Sequence, residues 1–330
     1  MIKKFVYAAF LTVSVSLCVF AQTPSPMPTP QMLPQMSPTP VVSLETILTN
    51  AEKQTANYRE IFRDLLALET KIFERFDKNG EAKDKTSIES NFFVYQSSKD
   101  GKTSSELRNV IKVDNELVPE SQARADRFLA ELEKTSTVER ELEKIQDEGL
   151  RYDKTFKISG LTLFEAIALL DNLRPVFDFK LLGTEVYQSR EVYVVSYQQT
   201  RKSQFITINE KKSKEKGIKA DYDVSIPGSL KKTDVFLRGK LLIDAQTFQI
   251  WREERQLAVQ TAVPIVAQET VFEYQPSEYE ILVPKKIVFT ENKIKKTDGN
   301  EFSATKNTRV SFDYSKFRKT NVDVQIIDEP

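Results

Sequence analysis

The sequence predicts an α+β fold, in which a strongly curved antiparallel β-sheet of about eleven strands forms an incomplete barrel with helices packed on its concave side. Three observations support this prediction. A helical pattern opens the globular region, an apolar period of two then continues almost to the C-terminus, and short polar turns separate successive apolar runs. Because strands joined by short turns pair antiparallel, and so many strands curl an open sheet, we expect one long curved meander.

The helical pattern begins after Ser43, at the start of the globular region. Apolar residues, among them Ile47, Leu48 and Ala51, recur every three or four positions as far as Leu65. Charged residues stand between them. This spacing predicts one amphipathic helix whose broad apolar face packs against the sheet.

Strand signals make up most of the remaining chain. The clearest hairpin lies at 241–251, where two apolar runs flank the polar turn 244–247. The dipeptide Asn79-Gly80 is a second hairpin signal, because both residues readily adopt the backbone of a tight turn. The predicted strands are 68–76, 88–95, 107–113, 176–187, 191–199, 203–208, 235–244, 247–259, 266–274, 280–291 and 301–314.

A helical segment, 119–173, interrupts the strands. Its first part, as far as 148, is charged and has only a narrow apolar stripe. Its last part, 163–173, follows a capping box formed by Thr162 and Glu165. Since the middle of this last helix is apolar on nearly all sides, we expect it to be buried against the sheet.

Residues 1–21 predict a secretory signal peptide. Lys3 and Lys4 precede the apolar run 5–20, and Val19 and Ala21 supply small residues for cleavage. A membrane anchor is the alternative, but the run is shorter than the roughly 20 apolar residues that a membrane span needs. We therefore expect an exported protein, periplasmic or secreted, that is not an integral membrane protein after cleavage.

The chain has one cysteine, Cys18, and no histidine. Removal of the leader leaves no disulfide, no thiol nucleophile and no imidazole ligand, which excludes histidine triads and zinc sites with His or Cys ligands. Lipidation at Cys18 is an alternative, although Leu17 stands where lipoprotein signals carry a small residue. We expect no metal and no cofactor.

Residues 22–40 predict a disordered, proline-rich linker, because they hold seven of the 14 prolines. It could act as a spacer or a docking segment, or have no role. Residues 41–330 are then a single domain. Lysine and arginine balance aspartate and glutamate at 48 each, so no basic field for nucleic acid is expected. The lysine run 211–219 could bind anionic lipid headgroups, or it could be a solvated loop.

Four strand motifs resemble the LolA/LolB-like superfamily, which comprises periplasmic lipoprotein carriers and related lipid-binding proteins. The motifs lie at 239–244, 248–252, 272–274 and 284–289. The resemblance implies an incomplete barrel closed by helices. It also implies a non-catalytic role in binding or carrying lipid or lipoprotein.

We expect the protein to bind a hydrophobic ligand, a lipid or a lipoprotein acyl chain, in the cavity of the half-barrel. The candidate ligand-binding residues are Phe248, Ile250, Phe272 and Phe289. The alternative is a tethered scaffold or protein-interaction module of the cell envelope with a filled core and an envelope protein as its partner.

A hydrolase that uses acidic pairs is a third alternative, with no catalytic residue that stands out. Glu253 and Glu254 are adjacent on a predicted strand. Since adjacent strand residues point to opposite faces, the two carboxylates cannot share a substrate. We therefore predict that the protein is not an enzyme.

Overall fold

The computed structural model describes residues 42–63, 65–96, 104–124, 126–127, 144, 146–153, 158, 160–162, 165–209, 220–231, 234–297 and 301–319. The predicted signal peptide, the predicted linker and the lysine run 211–219 lie outside these residues, as does much of the charged part of the segment 119–173.

The described residues contain the helix α1 (Leu44–Phe62) and thirteen strands. The strands are β1 (Leu65–Phe76), β2 (Ala82–Gln96), β3 (Ser104–Val113), β4 (Glu116–Leu117), β5 (Phe177–Tyr187), β6 (Arg190–Gln199), β7 (Ile206–Ile208), β8 (Ala220–Tyr222), β9 (Val235–Asp244), β10 (Ile250–Val259), β11 (Ile265–Pro276), β12 (Leu282–Lys296) and β13 (Phe302–Lys319). None of the described helices is long and apolar enough to span a lipid bilayer.

Eleven of these strands form one open antiparallel sheet in the order β4-β3-β2-β1-β13-β12-β11-β10-β9-β6-β5. The sheet does not close into a barrel, so β4 and β5 are its two edges. The predicted α+β fold, a curved antiparallel sheet with helical structure on its concave side, is confirmed. Strand β1 pairs with β13, which places the first and last strands side by side at the centre, and no sequence pattern predicted this pairing.

Helix α1 begins at the residue that the sequence predicted. The Ser43 hydroxyl accepts a hydrogen bond from the Thr46 backbone N–H, which satisfies one of the free donors of the first turn. The helix ends at Phe62, shortly before β1 begins at Leu65. Its apolar stripe is buried against the concave face of the sheet: Ile47, Leu48, Ala51, Tyr58 and Phe62.

The Asn-Gly turn between β1 and β2 is also confirmed. The Asp77 carboxylate accepts hydrogen bonds from the backbone N–H groups of Asn79 (2.8 Å) and Glu81 (3.0 Å). Gly80 adopts a φ of +84°, a conformation that residues with a side chain rarely adopt. These backbone hydrogen bonds hold the pKa of Asp77 below its usual range.

The prediction that 203–208 is a strand of the meander was wrong. Only Ile206–Ile208 forms a strand, and it pairs in parallel with β8 in a separate two-stranded sheet. Because β6 pairs directly with β9, the chain between them leaves the large sheet. Ile206 and Ala220 are buried, so this small sheet adds to the same core.

The predicted α-helix at 163–173 was wrong over the residues that the structure describes. Those residues form turns and a 3₁₀ helix, Ile167–Leu169, followed by a second 3₁₀ helix, Arg174–Val176. Ala166 has a φ of 44°, which is incompatible with an α-helix. The predicted burial is confirmed, because 166–170 and Leu173 are each at most 1% exposed.

Thr162 and Glu165 do not form the predicted capping box. Both the backbone N–H and the hydroxyl of Thr162 donate to the Glu106 carboxylate on β3, at 2.7 Å each. Glu165 is itself buried. Thr162, which would have capped a helix, is therefore bound to the sheet, and Glu165 is enclosed by the core.

Candidate functional site

The concave face of the sheet is the candidate site, and its charged residues follow one sequence pattern. An acid and a base stand two residues apart on three strands, at Glu69 and Lys71, at Glu106 and Arg108, and at Glu253 and Arg255. Residues two apart on a strand share a face, and all six side chains are buried. We name the described residues of 146–173, which pack over these side chains, the covering segment.

The first buried cluster centres on Arg108. Its guanidinium donates to both oxygens of Glu69, with Nε–Oε1 at 2.7 Å and Nη2–Oε2 at 2.9 Å. Nη2 also donates to Glu106 at 3.0 Å, and the Tyr314 hydroxyl donates to Glu69 at 3.0 Å. This two-point geometry is the strongest form of ion pair between side chains. The cluster joins three strands, β1, β3 and β13.

The same cluster holds the covering segment. Lys71 Nζ contacts both carboxylate oxygens of Asp153, at 2.9 and 3.1 Å, and each side chain is 1% exposed. Glu106 accepts hydrogen bonds from the backbone N–H groups of Gly160 and Thr162. The Tyr58 hydroxyl of α1 donates to the Thr162 carbonyl at 2.9 Å. Charged and polar contacts therefore attach the covering segment to both the sheet and α1.

The second buried cluster centres on Glu253 of β10. It accepts hydrogen bonds from Arg255 Nε (2.9 Å) and Nη2 (2.8 Å), from the Tyr197 hydroxyl (2.8 Å) and from the Ala166 backbone N–H (3.1 Å). Four donors satisfy this carboxylate. The Ala166 contact ties the covering segment to the sheet at a second point.

Gly239 makes room for the second cluster. It lies opposite Tyr197 in the β6–β9 pairing, and a Cβ at this position would overlap the Tyr197 ring and the Glu254 carbonyl. Without a side chain at 239, the ring crosses the strand and its hydroxyl reaches Glu253. A glycine inside a strand often marks such a close approach.

The pKa values of Glu69 and Arg108 reflect mutual stabilisation of opposite charges, whereas burial lowers the pKa of Lys71 and raises that of Asp153. Burial alone would raise the pKa of Glu69, but the charges of Arg108 and Lys71 outweigh it, and the pKa lies below its usual value. Burial alone would lower the pKa of Arg108, but Glu69 and Glu106 raise it well above its usual value. Both groups are therefore ionised at neutral pH.

Glu165 behaves in the opposite way. Burial, and then the negative charge of Glu253, raise its pKa well above the usual 4.5, and the Arg59 guanidinium opposes this only in part. A carboxyl with a raised folded-state pKa prefers to be protonated inside the protein. Glu165 is thus a buried acid that the fold keeps close to neutral.

We expect Glu165→Gln to stabilise the protein, and more so at high pH. The glutamate has its ordinary pKa near 4.5 in the unfolded chain and a raised pKa in the folded one. The wild type therefore loses stability as the pH rises above about 4.5 towards the folded-state pKa, whereas the amide does not titrate. Melting temperatures at pH 4 and pH 8 should show the larger gain at pH 8. An equal difference at both pH values would contradict this assignment.

The four predicted ligand-binding residues all belong to the main hydrophobic core, two at its centre and two at its margin. Ile250 and Phe272 are each 1% exposed and pack in the core, and the Arg255 guanidinium lies 4.6 Å above the Phe272 ring. Phe289 is half-buried on β12, opposite Thr270.

Phe248 is at the rim of the concave face. It lies in the turn between β9 and β10 with a φ of 59°, and it is half-buried. Its ring stacks on Tyr193 at 6.3 Å between centroids. Of the four residues, Phe248 lies at an accessible end of the core.

Polar and charged residues line most of each of two cavities on the described part of the chain. The first, about 400 Å³, is on the convex face across β5, β6, β9 and β10, with charged lining residues that include Lys180, Arg238 and Glu254. The second, about 560 Å³, lies near the β1–β2 turn and is lined by Phe73 and several charged residues. None of the four predicted ligand-binding residues lines either cavity.

The predicted arrangement of the acidic pair is confirmed. Glu253 is completely buried on the concave face, whereas Glu254 lies on the other face beside Arg252 and Lys240. No group of acidic residues that could hold a metal ion is found within the described ranges. The buried charges were not predicted from the sequence, although an acid and a base two residues apart on three strands were a visible signal.

No family model matches the chain, and no curated protein matches it. Solved structures do match. A DUF1329 family protein from Desulfovibrio piger is 12% identical, with a TM-score of 0.35 over 85% of this chain and 95% of its own. A domain from Vibrio parahaemolyticus with a provisional assignment as an outer membrane lipoprotein-sorting protein is 10% identical, with a TM-score of 0.35 over 82% and 94%.

A LolA superfamily protein from Nitrosomonas europaea is 11% identical, with a TM-score of 0.32 over 88% of this chain and 99% of its own. The structural neighbours are DUF1329 and LolA-superfamily proteins. They include the superfamily that the strand motifs resemble.

Proposed function

We propose that the protein is an exported, non-catalytic interaction protein of the cell envelope, whose concave face is a filled core. The observation that supports this proposal is that buried ion pairs fill the centre of the concave face. Its centre holds the ion pairs Glu69–Arg108, Lys71–Asp153 and Glu253–Arg255, and every side chain in them is at most 6% exposed. The interior is occupied by charges that are paired with one another.

An acyl-chain cavity requires a different lining. Sites for hydrophobic ligands are mainly apolar, with a few polar groups at fixed positions. A chain inserted here would separate Lys71 from Asp153, or Glu106 from Thr162, and leave buried charges without partners. Breaking one buried pair in this way costs about 3–5 kcal/mol. Contact with an acyl chain does not restore these hydrogen bonds.

The predicted leader and linker support an interaction outside the cytoplasm. Cleavage of 1–21 would release a periplasmic or secreted chain. Residues 22–40 would then form a spacer between the domain and a component of the envelope bound at the N-terminus. The partner in this proposal is a protein of the envelope, bound through the outer surfaces and edges of the sheet.

Binding of a lipid or lipoprotein acyl chain is a second candidate, favoured by the rim at Phe248. There Phe248 and Tyr193 are half-buried and stacked, while nearby Val186 of β5 is 77% exposed. In this proposal Phe248 contacts the ligand first. Ile250, Phe272 and Phe289 line the path only if the covering segment moves away.

Titration with a fluorescent sixteen-carbon fatty acid separates the two candidates. For the chain that begins at Gln22 we expect no saturable signal, and native mass spectrometry of protein purified from its own envelope should show no bound lipid. Saturable binding that Phe248→Ser weakens would overturn the proposal in favour of the second candidate. Val263→Ser is the control, because Val263 is an exposed apolar residue, at 77%, that lies beyond the opposite end of β10 from Phe248.

A further inference from the structure

We infer that β5 is a dimerisation edge, which pairs antiparallel with β5 of a second copy of this chain. This inference goes beyond the proposed function, since it does not depend on whether the concave face holds a ligand. Among the described strands β5 has one neighbour, β6, so its other edge is open. Open edges present backbone N–H and C=O groups that can pair with another strand.

The side chains of β5 are exposed to an unusual degree for a strand of 11 residues. Positions 182–186 are exposed without interruption, on both faces of the strand. Two large apolar residues are among them, Leu182 at 60% and Val186 at 77%. This stretch is therefore open on both faces and along one edge, and a strand partner would cover it.

A bulge in β5 decides which residues share a face. Leu181 lies opposite Val195 and Gly183 lies opposite Val194, so Leu182 is an extra residue in the pairing with β6. The bulge reverses the alternation of side chains after position 182. Lys180 and Glu185, which are five residues apart, therefore point to the same, convex face.

This arrangement makes β5 complementary to itself. When Lys180 is placed opposite Glu185 of a second copy, the two-fold symmetry of an antiparallel pair produces the same contact twice. The remaining pairs also fall on matching faces, with Phe179 opposite Val186 and Leu181 opposite Thr184. In a strand without the bulge, Lys180 and Glu185 would point to opposite faces and could not pair.

Neither Lys180 nor Glu185 forms an ion pair or side-chain hydrogen bond within the part of the chain that the structure describes. Both are exposed. Their charges are thus available for a second copy, and opposite charges directly across from each other stabilise strand pairs.

Edge protection is the competing explanation. A lysine and a bulge are common devices that stop a sheet edge from pairing. Protection alone, however, does not explain why Leu182 and Val186 are exposed apolar residues. It also does not explain why Lys180 and Glu185 stand where they would oppose each other in a pair of β5 strands. Since one edge is a small interface, we expect a dimer with a dissociation constant in the micromolar range or weaker.

Charge reversal with rescue tests the inference by sedimentation equilibrium on the chain that begins at Gln22. Wild type should show a monomer–dimer equilibrium. Lys180→Glu and Glu185→Lys each place like charges opposite each other twice, and should raise the dissociation constant roughly tenfold or more. An equimolar mixture of the two variants restores both attractive pairs, and should dimerise at least as well as the wild type.

A cysteine cross-link locates the contact. Cys18 precedes Gln22, so Leu182→Cys would carry the only thiol, next to the two-fold axis of the proposed pair. It should form an intermolecular disulfide on mild oxidation. Leu117→Cys, 72% exposed on β4 at the other edge, is the control and should not.

Three results would overturn the inference. The first is a wild type that stays monomeric at the highest concentration that can be measured. The second is a dimer that neither charge reversal weakens, or whose reversed variants fail to recover on mixing. The third is a cross-link at Leu117 in place of Leu182. Circular dichroism should show that all variants fold, since each substituted side chain is exposed.

Discussion

Arg108→Met should lower the free energy of unfolding by about 3–5 kcal/mol. Methionine keeps much of the length of the side chain but removes every donor. Glu69 and Glu106 would then be buried without the cation that both of them contact. Removing one member of a buried ion pair costs far more than the pair contributes as a whole, because the remaining charge is left unsolvated. Urea denaturation measures the loss.

Two comparisons separate this effect from a general loss of charge. Arg151→Met removes an arginine that is 40% exposed and pairs with Glu148, and should change the stability by less than about 1 kcal/mol. Adding Glu69→Gln and Glu106→Gln to Arg108→Met should restore part of the loss, because no buried charge is then unpaired. Equal losses for Arg108→Met and Arg151→Met would show that the cluster is not important for stability.

The parts of the fold that depend on local signals could be predicted from the sequence. Strand β9 has the bounds that its apolar run indicated, and α1 begins after Ser43, where the helical pattern starts. Both are encoded within a few neighbouring residues. The pairing of β1 with β13 joins residues more than 200 positions apart, and no local pattern specifies it.

The error at 163–173 has a physical cause. Its apolar composition indicated burial correctly, but the backbone conformation was decided by tertiary contacts. Thr162 is bound to Glu106, and the Ala166 N–H is bound to Glu253, each on a distant strand. Hydrogen bonds from the sheet replaced those of an α-helix, which a propensity pattern cannot anticipate.

The candidate site was predictable only in part. Ile250 and Phe272 lie in the core on the concave side, and their role in ligand binding stays a prediction. Whether that face encloses a cavity depends on the covering segment, whose position follows from the buried charges. Charged residues are rarely buried, so an acid and a base two residues apart on a strand are easily taken for a solvated face.

Ile167→Asp should destabilise the protein by about 4 kcal/mol or more. Ile167 is 1% exposed in the 3₁₀ helix of the covering segment, and its side chain belongs to the main core. The substitution removes apolar burial and introduces a carboxyl two residues from Glu165, whose pKa is already raised by burial. No cation of its own would neutralise a second buried acid in this region. We therefore expect a large fall in melting temperature at pH 8 and a smaller fall at pH 4, where the new carboxyl is protonated more easily.

The control is Val263→Asp, at a position that is 77% exposed, and it should leave the melting temperature nearly unchanged. If Ile167→Asp also left the melting temperature unchanged, the covering segment would not be packed on the sheet, and the proposal of a filled core would be wrong.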